Sequence, residues 1–192
     1  DEFNFKLQLA QLYGEQGNIE KMFTSYIEFA ESNPISLGTI KKAINDFISE
    51  NSESENNLLL RKILLKKIQQ EPSLIWNDLL SWLFVQQKDY KKAFLQEKAI
   101  FNRQPESLNR IYDLALVAYS ENNFEDAKEF FAYIINIAQD FDMLLEAHYN
   151  ILQIETNLSS KENYEVIDIK YQELLKSLGT FSQTVKLQIA YA

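Results

Sequence analysis

The chain of 192 residues contains no cysteine. That excludes disulfides, thiolate metal sites and cysteine nucleophiles together. It has a single histidine, His148. A metal site built on that imidazole would lack the further Cys or His ligands it needs, so no metal or other cofactor is expected. On an apolar stripe, His148 reads as structural. Three prolines and four glycines are few for this length, which suits a chain that is nearly all helix. No apolar run reaches the roughly 18 residues that would span a bilayer, and no signal peptide is visible. The chain has no Gly-rich phosphate loop, HExxH motif or nucleophile elbow. Cations are also in deficit: 19 Lys and Arg against 28 Asp and Glu give a net charge of −9. Residues 1–105 hold 13 cations against 14 anions, for −1, whereas residues 106–192 hold 6 against 14, for −8. Such a chain repels phosphate, so nucleic acid and anionic membrane surfaces are poor partners.

The most informative stretch is 73–140. Ser73, Leu74, Leu80, Ser81, Tyr90 and Ala93 recur 34 positions later as Ser107, Leu108, Leu114, Ala115, Phe124 and Ala127. A fixed period of this size is the signature of stacked helix pairs. The three prolines, Pro34, Pro72 and Pro105, each precede a Ser-Leu step, so a helix breaker is followed by a capping residue.

This punctuation predicts units at about 3–35, 36–72, 73–106, 107–140 and 141–179, with a partial sixth at 180–192. In the first, Leu9, Ala10 and Tyr13 face inward, and Gly14 and Gly17-Asn18 break the helix. Ile19, Met22, Phe23, Tyr26, Phe29 and Ala30 line the return. The second unit is three residues longer, with Ser36 as N-cap, Ile40, Ala43, Ile44 and Phe47 inward, and the extra residues in a polar turn. Ser52 and Glu55 have capping-box spacing there. Asp140 and Asp142 read as helix-start residues. Leu144, Ala147, His148 and Ile151 are the expected inward stripe of the fifth unit, and Gly179 its C′ residue. Ser159 with Glu162 has the spacing to cap its return helix. Asn157-Leu158-Ser159 is a glycosylation sequon, meaningful only in a secreted eukaryotic protein. The chain begins with Asp and lacks polar end repeats, so it is expected to belong to a longer protein.

These residues resemble the tetratricopeptide (TPR) repeat, whose pattern runs Trp-x2-Leu-Gly-x2-Tyr, Ala-x3-Phe, Pro. The first unit supplies Leu9-Ala10, Tyr13, Gly17-Asn18, Tyr26 and Pro34. The third supplies Leu80-Ser81, Phe84, Asp89-Tyr90, Ala93 and Pro105. The fourth supplies Leu114-Ala115, Asn123-Phe124, Ala127 and Phe131. The Trp position holds Lys6, Ile40, Asn77 and Ile111 instead, and Glu97 stands at a Phe position. A HEAT-like or irregular α–α solenoid is the alternative. The resemblance implies an all-α superhelix, a TPR-like solenoid of about five helix pairs plus a terminal helix, forming one domain over 1–192.

It also implies a concave face built from the first helix of each pair. Carrying the register across puts Ile75, Asp78, Trp82 and Val85 there in the third unit. Asn109, Tyr112, Leu116 and Tyr119 are the matching positions in the fourth. Trp82, Tyr112 and Tyr119 would form an aromatic strip suited to a protein or peptide partner. The competing role is packing between repeats. The Lys/Asn/Arg clamp that some members use for terminal carboxylates is absent, because its positions hold Leu7, Gln11, Asp78, Trp82, Asn109 and Asp113. An enzyme would need an inward acid/base pair, and only Asp78 and Asp113 offer one. Arg61, Lys62, Lys66 and Lys67, with Lys88, Lys91, Lys92 and Lys98, form a basic set on and beside the second helices of the second and third units. It reads either as a solvated face or as a docking face for acidic chains. The expected function is a non-enzymatic interaction scaffold. The alternative is a structural section of a longer solenoid, or self-association through uncapped ends or through the basic and acidic halves.

Overall fold

The computed structural model describes residues 2–159 and 164–191. Among them are eleven α-helices and no strand. The helices are α1 (Glu2–Glu15), α2 (Ile19–Ser32), α3 (Leu37–Asn45), α4 (Glu55–Gln70), α5 (Leu74–Gln86) and α6 (Tyr90–Arg103). They continue with α7 (Asn109–Ser120), α8 (Phe124–Ile137), α9 (Phe141–Leu158), α10 (Tyr164–Leu178) and α11 (Val185–Tyr191). They gather into two compact units, Asp1–Gln104 and Pro105–Ala192. This is an all-α fold in which sequential helices pack as pairs.

Three hairpins are close: α1/α2, α5/α6 and α7/α8. One turn builds all three. Gly17, Lys88 and Asn122 sit at φ of 73°, 56° and 61°. The next residue's N–H reaches back five positions: Asn18 to Tyr13 O at 2.8 Å, Asp89 to Phe84 O at 2.9 Å and Asn123 to Ala118 O at 2.8 Å. This is the Schellman closure, which satisfies orphan carbonyls at a helix end. Asn18 and Asp89 then cap the return helix by accepting from Lys21 N–H and Lys92 N–H. Lys88 and Asn122 are 34 apart, so the period is present in the backbone as well as in the residue types.

The second pair departs from this pattern. α3 has nine residues, and the connection to α4 spans 46–54. Both α3 and α4 pack on α2 and α5. The long connection was expected, but its caps were not. Ser36 makes no side-chain cap, because Pro34–Ser36 form a 3₁₀ turn that leads into α3. The Ser52–Glu55 box does not form either. Ser54 is the N-cap, and the Ser52 hydroxyl turns to Glu53. The connection is held instead by Asn57, which is fully buried. Its amide donates to Ser49 O and Asn51 O, both at 2.7 Å, and accepts from Ser49 N–H. Gly14 lies inside α1 rather than breaking it. A Cβ there would meet Met22 Sδ at 2.7 Å and Phe47 Cζ at 3.0 Å, so α1 needs glycine where α2 and Phe47 press closest.

In unit 1 the core comprises Met22, Phe23, Tyr26, Ile27, Phe29, Ile40, Ile44, Leu60, Leu64, Trp76 and Leu83, all nearly without exposure. The expected inward stripes of α1 to α3 agree, save that Leu9, Tyr13, Ile19, Ala43 and Phe47 are only half-buried. Polar residues occupy the α5/α6 seam where the repeat pattern has large apolar ones. Asn77 donates to Gln96 at 2.8 Å and accepts from Arg103 at 3.1 Å, and the Ser81 hydroxyl donates to buried Glu97. The two departures at Asn77 and Glu97 are therefore each matched by a partner.

In unit 2, Phe130, Phe131 and Ile134 of α8 are buried with Ile111, Ala115 and Ala118 of α7. A second cluster holds Leu145, Leu152, Ile167, Tyr171 and Leu187, so α11 closes the apolar face of α9 and α10. The fifth unit's inward stripe is shifted from expectation. Leu145, Ala147, Asn150, Leu152 and Ile154 are buried, while Leu144, His148 and Ile151 are half-buried. The 18-residue α9 packs on α8, α10 and α11, and a helix gripped from several sides has no single stripe. Asp140 caps α9 by accepting from Met143 N–H at 2.8 Å. Gly179, at φ 89°, is the C′ residue of α10. The expected Ser159–Glu162 cap falls partly on residue 162, outside the described residues.

Candidate functional site

On α5, burial divides the residues as the register carried across from the repeat pattern does. Trp76, Asn77, Leu79, Leu80, Ser81, Leu83 and Phe84 are buried, whereas Ile75, Asp78, Trp82 and Val85 are half-exposed along one side. On α7, Asn109 is exposed and Tyr112, Leu116 and Tyr119 are half-exposed. Asp113, the other carboxylate weighed for acid/base work, is exposed on α7.

In unit 1 the face of α5 meets α3. Lys41 makes an ion pair with Asp78. Beside that pair lies an open cavity of about 200 Å³, lined by Lys41, Lys42, Asn45 and Trp82. It is smaller than the roughly 300–1,000 Å³ that small-molecule sites occupy, so it suits one side chain of a larger partner. The two tryptophans differ in state. Trp76 is buried and its indole N–H donates to Glu71 O at 3.1 Å. The Trp82 indole has no partner among the described residues. An indole that offers both an apolar face and a hydrogen-bond donor is the side-chain type that anchors protein contacts.

In unit 2 the two tyrosines behave otherwise. The Tyr112 ring lies edge-on to Phe131, with centroids 5.7 Å apart. Its hydroxyl donates to Glu146 at 3.2 Å and accepts from Asn150 at 3.2 Å. Burial, and then the nearby Glu146 carboxylate, push the Tyr112 pKa above its ordinary 10.0. Tyr119 is tilted on Phe124 at 5.8 Å, and its hydroxyl accepts from Asn157 at 2.9 Å. Both rings therefore tie α7 to α8 and α9. The chain of contacts continues: Lys186 of α11 reaches Glu146 at 2.6 Å and lies 4.2 Å from the Tyr149 ring centroid. Sequence spacing could place these tyrosines on a face. It could not show that residues 34 to 38 positions later would engage their hydroxyls.

Another cavity in unit 2, about 270 Å³, is lined by Lys128, Glu155, Leu158, Ser159, Val166, Ile167 and Lys170. Burial raises the Glu155 pKa, but hydrogen bonds from Lys170 and Lys128 outweigh it and hold the carboxyl below 4.5. A carboxylate held ionised between two ammonium groups is a poor proton donor. His148 is half-buried on α9, and burial lowers its pKa below 6.5. Among the described residues, no cluster of three His, Asp or Glu has metal-binding placement.

No family model and no curated protein matches the chain. It is similar to a solved structure titled "MamA RS-1 ArsTM double mutant", at 15% identity and a TM-score of 0.43, over 92% of this chain and 96% of that one. Nothing about partners or activity follows from so distant a likeness. No described helix is long and apolar enough to cross a membrane.

Proposed function

We propose that the chain is a non-enzymatic scaffold that holds a segment of another protein against the first helices of its pairs. In unit 1 the working face is Ile75, Asp78 and Trp82 of α5. In unit 2 it is Asn109, Tyr112, Leu116 and Tyr119 of α7. What supports this most is Trp82, a half-exposed indole that lines a side-chain-sized cavity and has no partner among the described residues. Partner binding to a peptide array is expected to fall at least about ten-fold with Trp82→Ala. Intrinsic fluorescence gives a second readout, because Trp76 is buried and a ligand-dependent change reports Trp82. Binding that survives Trp82→Ala, and separately Tyr112→Ala, removes the assignment.

A structural role in a longer or self-associating solenoid has its own support. The last helices of unit 2 leave Val166, Ile169 and Ile189 more than half exposed, Ile189 at 71%. Light scattering separates the two: a monomer across the micromolar range counts against self-association. Deleting 180–192 strips Leu187 from its cluster and is expected to cause aggregation, visible as a rise in scattered intensity.

A further inference from the structure

The basic residues on and beside the second helices of unit 1 are not equivalent. Lys67 pairs with Glu31 at 2.7 Å and lies 5.5 Å from the Trp76 ring centroid. Lys88 pairs with Glu50, Lys92 pairs with Asp89, and Lys98 covers Phe94 at 4.3 Å. Lys91 is engaged as well. Arg61, Lys62 and Lys66 have no interaction partner among the described residues. All three are on α4, around Leu65, which is 43% exposed. On a helix Arg61 and Lys62 lie one turn before Leu65, and Lys66 follows it, so the leucine is rimmed by cations.

A solvated face does not call for this arrangement. Between residues 56 and 70 there is no Asp or Glu. Lys62 and Lys66 are four apart, where like charges repel along a helix. The helix dipole favours cations only in the last turn, which covers Lys67 but not Arg61, Lys62 or Lys66. The chain as a whole carries −9, so this is a local reversal of sign around an exposed apolar residue. An apolar anchor with a charged rim is the anatomy of a protein interface.

We propose that the exposed face of α4, with Leu65 at its centre and Arg61, Lys62 and Lys66 around it, is a docking surface for an acidic segment of another protein that carries an apolar side chain. It is separate from the α5 face. The test uses the full chain and a fluorescein-labelled peptide, Glu-Glu-Asp-Leu-Phe-Glu-Asp-Glu, followed by anisotropy. Binding is expected to weaken several-fold between about 50 mM and about 300 mM NaCl, because exposed charges are screened over that range. Lys62→Glu with Lys66→Glu should weaken it at least about ten-fold, and Leu65→Ser several-fold. Trp82→Ala should leave it unchanged, so failure here is distinguishable from failure of the α5 assignment. Lys62, Leu65 and Lys66 are exposed, and circular dichroism checks that the helices persist in every variant.

Three outcomes overturn the proposal. In the first, affinity is indifferent to the double charge reversal. In the second, a control peptide with Gly-Ser in place of Leu-Phe binds equally well, which reduces the surface to counterion attraction. In the third, phosphatidylserine vesicles bind through Lys62 and Lys66 while the peptide fails to compete. Light scattering supplies a further arm, in which an oligomer that dissociates only in the double reversal would assign the surface to a second copy of this chain.

Discussion

α5 and α7 are equivalent helices, 34 residues apart, and the repeat pattern assigns them the same exposed face. Their aromatic side chains nevertheless differ in state. Trp82 on α5 borders an open cavity and has no partner among the described residues. Tyr112 and Tyr119 on α7 are bonded to Glu146, Asn150 and Asn157 of α9. Repeat register thus decides which way a ring faces, and the polar side chains of the following first helix decide whether it stays available. The ends of the two helices differ too. Gln87, at the end of α5, is buried with its side-chain amide unpartnered among the described residues, whereas its counterpart Glu121 is exposed.

The contrast can be broken at several points. The largest effect should come from Phe131→Ala, which removes a fully buried ring beneath Tyr112. A loss of about 3–5 kcal/mol in denaturant unfolding is expected. Gln87→Met should act in the opposite sense, because it replaces an unsatisfied buried amide with an apolar side chain of similar volume. A gain of about 1–2 kcal/mol is expected, and Glu121→Met should give nothing comparable. Tyr112→Phe keeps the ring and removes the hydroxyl, so a loss of about 1 kcal/mol is expected.

That last variant also has a pH signature. The folded Tyr112 pKa is raised, so the unfolded chain loses its phenolic proton first. Stability should fall as pH climbs above 10, and Tyr112→Phe should flatten that fall in a series of urea melts. His148 supplies the smallest effect, at the acid end. Its folded pKa is lowered, so the unfolded state takes up a proton more readily, and stability should decline as pH drops through 6.5. His148→Gln should remove that part of the slope.

The helical repeat was legible because it depends on local signals that recur. Leu80 with Ser81 and Leu114 with Ala115 mark the close approach of paired helices. Ser73 and Ser107 both accept a first-turn N–H, from Ile75 and Asn109. The left-handed turn position was visible at Gly17 but hidden at Lys88, since lysine carries no mark of a positive φ. Replacing Lys88 with glycine is a natural check, and a modest stabilisation is expected. The caps at Ser36 and Ser52 failed for a related reason: spacing reports what could bond, and a 3₁₀ turn at one and the adjacent Glu53 carboxylate at the other offered closer alternatives. Asn57 itself gave no warning, because its partners Ser49 and Asn51 lie in a connection whose path no local propensity sets. The half-exposed positions of α5 followed from the register that the TPR resemblance carried across. The capture of the α7 tyrosines depended on α9, whose inward stripe was misjudged.

The nine-residue connection between α3 and α4 has a practical consequence. Three extra residues placed inside a helix would rotate everything after them by most of a turn. Here they sit in a surface arch fastened by the Asn56 amide, which donates to Phe47 O, and by the Asn57 amide, so α5 and α6 keep their place within unit 1. A fluorophore or affinity handle grafted at Ser52-Glu53 should therefore leave both units undisturbed, and would put a reporter outside the α4 and α5 faces assigned above.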